Sequence, residues 1–214
     1  SSLSDLEQEE PDDLMMHPLR LALEVQSLMN QNDWLVIDGG NTHFWSEIAV
    51  NMAGAQGKEL AGILHPGSFS MLGVGVSFGL AAKLNHPKDR VVVISGDGAF
   101  LSGGLSIEAA FQENVPITVV IDNNGGLTTI SQQQERLFAD ERHVATDFRD
   151  IPFHTMFEGM GGHGELVEKP EDLKPALERA LSSGKTACVN VRTRSAISPI
   201  VLATTSKRDK ASIE

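Results

Sequence analysis

Two rhythms of apolar and polar positions alternate along this chain. Leu21, Val25 and Leu28 recur at helical spacing behind Pro18, which suits the first turn of a helix. Residues 34–38, WLVID, form a short continuous apolar run of the kind buried strands show, and the polar, glycine-rich GGNTHFW follows. The small-residue segment GVGVSFGLAAKL (73–84) predicts a helix able to pack closely, and RVVVISG predicts the next strand. FLSGGLSIEAAFQEN carries apolar groups on more than one side and predicts a helix buried on two sides, before a strand in PITVVIDNN (116–124). GELV and TACVNVRT bracket a helix that opens Pro170-Glu171-Asp172, with acids where the helix dipole favours them and Leu173, Leu177 and Leu181 along one face.

Strands alternating with helices predict an α/β fold: a doubly wound, mostly parallel sheet with helices on both faces. Such sheets bind ligands at the carboxyl ends of their strands. The stretch from about 125 to 160 is the least regular, and its polar sequence predicts a functional loop region. Residues 1–13, SSLSDLEQEEPDD, are acidic and predict a disordered lead-in; 14–200 form the domain, and 201–214 are expected to be a mobile tail. The chain begins without Met, so a processed or trimmed product is expected.

A net charge of −12 argues against a nucleic-acid or anionic-membrane partner. The single cysteine, Cys188, rules out an internal disulfide and the four-cysteine sets of iron–sulfur or zinc sites; it is expected to pack as a small hydrophobe. No run approaches the roughly 20 apolar residues of a membrane span. No signal peptide is recognisable either, so a cytoplasmic location is expected.

The chemistry is concentrated in two strand ends. Asp97 stands between two glycines just past VVVISG, and Asn123 and Asn124 stand just past the next strand in sequence. A helix joining two parallel strands in a right-handed βαβ unit returns both polar ends to one edge. A carboxylate and an amide oxygen are hard ligands that suit Mg²⁺, which keeps few protein ligands and takes others from substrate phosphates. Gly98 and Ala99 open a helix whose free N–H groups can hold a phosphate. Each glycine-rich turn alone is ordinary turn chemistry; their joint spacing points to a metal and a diphosphate in one place.

GDGAFLSGGLSIEAAFQENVPITVVIDNN resembles the thiamine-diphosphate motif, Gly-Asp-Gly followed at the usual interval by Asn-Asn. From about His17 to Ser198 the chain resembles the C-terminal, diphosphate-binding domain of the acetolactate synthase superfamily, which includes benzaldehyde lyase, oxalyl-CoA decarboxylase and 2-hydroxyacyl-CoA lyase. The resemblance implies that Asp97, Asn124 and the backbone carbonyl of Gly126 bind Mg²⁺, and that Gly96, Gly98 and Ala99 meet the diphosphate of thiamine diphosphate. DGGNTHFW resembles the family's first diphosphate loop, which places Gly40, Asn41 and Thr42 near the terminal phosphate and His43 near the site. Its Gly-x-Asn-Thr character is nearer the acyl-CoA lyases. GSFSMLGVG resembles the loop that supports the bent cofactor, with Leu72 wedged between its two rings and the Ser70 carbonyl accepting from the pyrimidine amino group.

In that family the thiazolium carbon of the cofactor adds to a carbonyl, and a carbon–carbon bond then breaks or forms. A glutamate from another domain, delivered by a neighbouring subunit, activates the pyrimidine. Glu47, Glu108 and Glu135 are available carboxylates, and none matches that position. The resemblance therefore implies half an active site: a subunit or fragment of a carbon–carbon lyase or ligase, acting on a carbonyl or acyl-CoA substrate. A partner chain carries the pyrimidine-binding domain, as a separate subunit in a hetero-oligomer or as an N-terminal fragment. Asp122 stands where the family often has Asn, and Gln133, in a loop reading SQQQ, stands where acetolactate synthases usually carry Trp, which weakens the synthase reading. His163 is expected to be structural, and SAISPI to form a cover near the cleft. An acetolactate synthase or 2-oxoacid decarboxylase subunit is the alternative within this chemistry. A non-catalytic cofactor-binding regulatory subunit is the alternative outside it, and a dinucleotide binder is disfavoured because GDGAF lacks the third glycine.

Overall fold

The computed structural model describes residues 15–138 and 143–208. The acidic lead-in at 1–13 and the last six residues lie outside them. Helix α1 (Pro18–Leu28) leads into β1 (Trp34–Asp38), α2 (Asn41–Ala55) and β2 (Gly62–Leu64). The chain continues through α3 (Gly75–Asn85), β3 (Val91–Gly96), α4 (Asp97–Gly103), α5 (Glu108–Gln112) and β4 (Thr118–Asn123). The last third holds α6 (Thr128–Leu137), α7 (Phe153–Gly159), β5 (His163–Val167), α8 (Pro170–Ser182), β6 (Ala187–Arg192) and α9 (Pro199–Arg208). One six-stranded sheet runs β2-β1-β3-β4-β6-β5, and every pairing is parallel.

The α/β class expected from the alternating pattern is what forms, and the two faces of the sheet show why. Side chains alternate along a strand. Leu35, Ile37, Val92 and Ile94 therefore face one layer, where they pack with Leu21 and Val25 of α1 and Leu173 and Leu177 of α8. Val36, Val93, Val119 and Ile121 face the other, where they meet Val76 of α3, Phe100 of α4, and Phe153 and Phe157 of α7. Phe157 is fully buried, and its ring lies 6.0 Å from those of both Phe100 and Phe111. Phe157→Ala is expected to cost about 3–5 kcal/mol through lost transfer energy and a cavity. Urea unfolding checks this; a shift below about 1 kcal/mol would show that this layer collapses to fill the gap. Cys188 is buried in the same layer, and burial pushes its thiol well up, so it is a core residue as expected. His163 meets Glu165 at 2.8 Å, and Glu165 also accepts from Arg179, an ion-pair arrangement far from the sheet's carboxyl edge that fits the structural role expected.

Four local expectations need correction. The single helix expected over FLSGGLSIEAAFQEN is broken into α4, a 3₁₀ turn at Gly104–Ile107, and α5. The break falls at Gly103, where a Cβ would lie 2.1 Å from the carbonyl oxygen of Gly73. Close approach to that backbone is what the glycine serves. The irregular region after β4 contains α6 and α7, so SQQQ is helical rather than a loop; straight-chain Gln, Glu and Arg are good helix formers. GGNTHFW opens the 15-residue α2, which its polar sequence does not announce. Residues 199–208, partly within the expected tail, form α9. No helix among the described residues is long and apolar enough to cross a membrane.

Candidate cofactor-binding site

The sheet order decides where a ligand can enter. From β1 the chain moves out to the edge strand β2 and returns to β3 on the other side of β1. The connections leave β1 in opposite directions there, and a crevice opens at the carboxyl ends of β1 and β3. Asp38 of β1 is level with Ser95 of β3, and Gly96 is level with Asp122 of β4, so the three strands end in step. A cleft of about 540 Å³ lies at this edge, lined by the segments that follow β1, β2, β3 and β4. That volume is in the range of small-ligand sites.

At its floor Asp97 is 2% exposed. Its Oδ1 accepts from Gly98 N–H at 2.6 Å, and its Oδ2 accepts from the N–H groups of Gly125 and Gly126, each at 2.9 Å. The two strand ends are thereby tied together, as their spacing predicted. Burial, and then the nearby Asp122, push the Asp97 carboxyl up to about 7, while the three N–H groups pull the other way. Asn124 also lines the cleft, and its buried Oδ1 has no hydrogen-bond partner. A buried amide oxygen left unpaired costs about 1–3 kcal/mol, so it marks a place where something else binds. A carboxylate that resists its charge beside an orphaned hard oxygen is a donor set for a small hard cation, and the residues present fit Mg²⁺. The Gly126 carbonyl accepts from Thr128 N–H at 2.9 Å and keeps a second lone pair.

Asp122 is fully buried and is held by hydroxyls: Thr42 Oγ1 donates to its Oδ2 at 2.7 Å, and Thr193 Oγ1 donates to its Oδ1. Burial raises its pKa and both hydroxyls oppose that rise. It therefore anchors the first turn of α2 to β4 and influences Asp97 by charge. Asn41 lines the cleft, but its side chain is engaged elsewhere, donating to Gln132 Oε1 at 3.0 Å and accepting from Ser198 N–H at 3.1 Å. Gly40, Thr42, Gly98 and Ala99 line the cleft. Gly96 does not; it stands behind the wall, where a Cβ would lie 3.0 Å from Thr42 Oγ1.

Ser70 and Leu72 form the opposite lip. Ser70 has φ of +50°, a left-handed conformation uncommon for a residue with a side chain, and Leu72 is 40% exposed. Gly73 and Gly75 N–H groups donate to Asp38 Oδ2 at 3.0 and 2.7 Å, and so fix this lip to the end of β1. Gln133 is absent from the lining; on α6 it stands one turn past Thr129, which does line the cleft. Glu108 and Glu135 are also away from it. SAISPI straps α2 rather than lining the cleft: Ala196 O accepts from Trp45 Nε1, and Ser195 Oγ accepts from Gln132 Nε2. Glu47 and His65, which pattern reading set aside or passed over, line the cleft beside His43. The signal for Glu47 was its i, i+4 spacing from His43, visible only once GGNTHFW is known to start a helix.

The family model described as "Thiamine pyrophosphate enzyme, C-terminal TPP binding domain" matches residues 38–191. The acetolactate synthase large subunit of Mycobacterium tuberculosis is 36% identical over 193 residues, 88% of this chain and 34% of its own length. The catabolic acetolactate synthase of Raoultella terrigena is 28% identical over 82% of this chain and 30% of its own. The 2-hydroxyacyl-CoA lyase 2 of Mus musculus is 30% identical over 81% of this chain and 26% of its own. The chain thus spans about a third or less of the length of these relatives. With the orphaned Asn124 oxygen and the buried Asp97 at the switch point of its sheet, the chain belongs to the C-terminal thiamine-pyrophosphate-binding domain family of thiamine-diphosphate-dependent enzymes, and its cofactor is thiamine diphosphate with Mg²⁺.

Proposed function

We propose that this chain is the diphosphate- and Mg²⁺-holding part of a carbon–carbon lyase or ligase, and that the rest of the active site comes from a pyrimidine-binding domain elsewhere. The observation that carries the reading is the unpaired, buried Asn124 Oδ1 beside Asp97. Asp97, Asn124 and the Gly126 carbonyl hold the cation, and Gly40, Gly98 and Ala99 let backbone approach the diphosphate. Thr42 spends its hydroxyl proton on Asp122, so it contributes position more than a free donor. Leu72 and the left-handed Ser70 support the ring end of the cofactor from the far lip. When bound, the cofactor supplies a nucleophilic carbon and an electron sink for the bond that breaks or forms. The chain's own work is to orient it, to neutralise its phosphates and to keep the charged floor out of water.

The need for a partner is supported by the surface around the lip. Phe69 is 82% exposed, and Met71, Leu72, Leu101 and Leu105 are exposed as well. Gly73 and Gly103 approach closely, so the two segments that carry these apolar groups meet there. Exposed apolar side chains gathered on neighbouring segments suit a docking face.

Gly39-x-Asn41-Thr42 favours a 2-hydroxyacyl-CoA lyase type of reaction. A second reading, an acetolactate synthase using 2-oxoacid donors, is favoured by 36% identity to a synthase over 88% of the chain. Native mass spectrometry with Mg²⁺ and thiamine diphosphate, followed by assays with pyruvate and with a 2-hydroxyacyl-CoA, tests the proposal. The expected result is a complex with a second polypeptide that retains cofactor and turns over one of the two substrates. Cofactor retention without turnover of either substrate in the complete assembly would leave a regulatory binding subunit and overturn the enzymatic reading.

A further inference from the structure

We propose that His43, Glu47 and His65 form a second cation site, one that takes a borderline transition-metal dication such as Zn²⁺ or Co²⁺ rather than Mg²⁺. The three side chains offer one ligand atom each, and these atoms all lie within 4.8 Å of one another. His43 and Glu47 are four residues apart on α2, the spacing that sets two ligands on one helix face. His43 Nε2 and Glu47 Oε1 are 2.9 Å apart. His65 arrives from the segment after β2, its ring centroid 5.3 Å from that of His43. All three line the same cleft as Asp97 and Asn124.

Nitrogen and oxygen ligands hold Zn²⁺ at about 2.0–2.2 Å, which separates tetrahedral ligand atoms by roughly 3.3 Å. One pair is already near that spacing, and His65 is exposed and free of core packing, so a turn of its ring closes the set. The cation replaces the proton now shared by His43 and Glu47. It also displaces the 3.2 Å hydrogen bond that Gly67 N–H gives to His65 Nδ1, if that nitrogen is the ligand. Imidazole selects Zn²⁺, Co²⁺ or Ni²⁺ over Mg²⁺, so the two sites sort cations by ligand chemistry. Three protein ligands leave a coordination position for water or for an oxygen of whatever occupies the cleft. The inference does not depend on the assignment of the thiamine diphosphate residues.

The test is a Co²⁺ titration of the full chain in saturating Mg²⁺, followed by visible absorption and calorimetry. One equivalent is expected to bind with the intense d–d bands of a four- or five-coordinate site. His65→Ala and Glu47→Gln should each weaken it by at least about 10–100-fold, the loss typical of disturbing a metal's shell. Asp97→Ala should leave it unchanged, which separates this site from the Mg²⁺ edge. His143, flanked by Glu135 at 2.6 Å and Asp147 at 3.0 Å, supplies the control. No binding above Mg²⁺ competition, equal binding by His65→Ala, or loss on Asp97→Ala or His143→Ala would each overturn the proposal.

Discussion

Asp97→Ala loses Mg²⁺-dependent retention of thiamine diphosphate while the cofactor-free chain keeps its fold. Even an outer-shell change costs about 10–100-fold in metal affinity, so loss of a charged ligand should exceed 100-fold. The fold survives because the carboxylate is unfavourably placed in the cofactor-free chain. Burial and the charge of Asp122 disfavour it, and only the N–H groups of Gly98, Gly125 and Gly126 support it. Its raised value, about 7, also gives the sign of two pH effects. Between the ordinary carboxyl value and about 7, the native chain holds a proton that the unfolded chain has released. This group's contribution to stability therefore falls as pH rises across that window. Cation binding requires the carboxylate, so binding near pH 7 releases a proton, and apparent affinity drops about tenfold per unit below it. Calorimetry in buffers of different ionisation heat measures the released proton; Asp97→Asn should abolish that release. Full cofactor retention by Asp97→Ala would remove the metal assignment.

Gly126→Ala should damage stability and cofactor binding together. A Cβ at Gly126 would stand 2.3 Å from the Thr146 carbonyl oxygen and 3.2 Å from Asp147 Cα. These are backbone atoms of a short antiparallel contact, in which Leu127 N–H donates to Thr146 O and Phe148 N–H to Gly125 O, each at 2.8 Å. The methyl must force the two segments apart. Overpacking costs about 1–3 kcal/mol, and each strained hydrogen bond adds about 0.5–1.5 kcal/mol. The same shift draws Gly126 N–H from Asp97 and moves the carbonyl assigned to Mg²⁺, so cofactor affinity should fall at least tenfold for a misplaced ligand. Gly54→Ala is the control, because nothing lies within 4 Å of its Cβ inside α2, and it should be neutral or stabilising by about 0.4–1 kcal/mol. Chemical denaturation and a cofactor titration read both effects. Equal behaviour of the two variants would show that the Gly126 segment yields freely.

Much of the site was legible because its defining distance is topological. Asp97 and Asn124 follow two uninterrupted β-branched runs joined by one crossover, and parallel strands return to the same edge whatever the details of the crossover. The break of the crossover into α4 and α5 therefore leaves the pairing of Asp97 with Asn124 untouched. The start of α2 was harder. Asn41, Thr42 and His43 are polar yet buried, and their partners lie 80 or more residues away for Thr42 and Asn41: Asp122, Gln132 and Ser198. A helix buried on most sides shows no amphipathic stripe, so its period is invisible to pattern reading. The place of Gln133 was hidden for a related reason: composition marks SQQQ as polar, while helical phase decides that Gln132 reaches Asn41 and Gln133 stays outside the cleft.

By itself, then, the chain's pattern determined the alternating α/β class, the buried strands and the meeting of Asp97 and Asn124 at one sheet edge, since each follows from local periodicity or from the ends of two adjacent elements. Tertiary structure alone decided that Asn124 Oδ1 is left unpaired, that burial, with Asp122 nearby, holds the Asp97 proton up to about 7, and that His43, Glu47 and His65 meet across α2 and the turn after β2. Desolvation and convergence depend on which distant segments close over a residue, and no window of sequence contains that information.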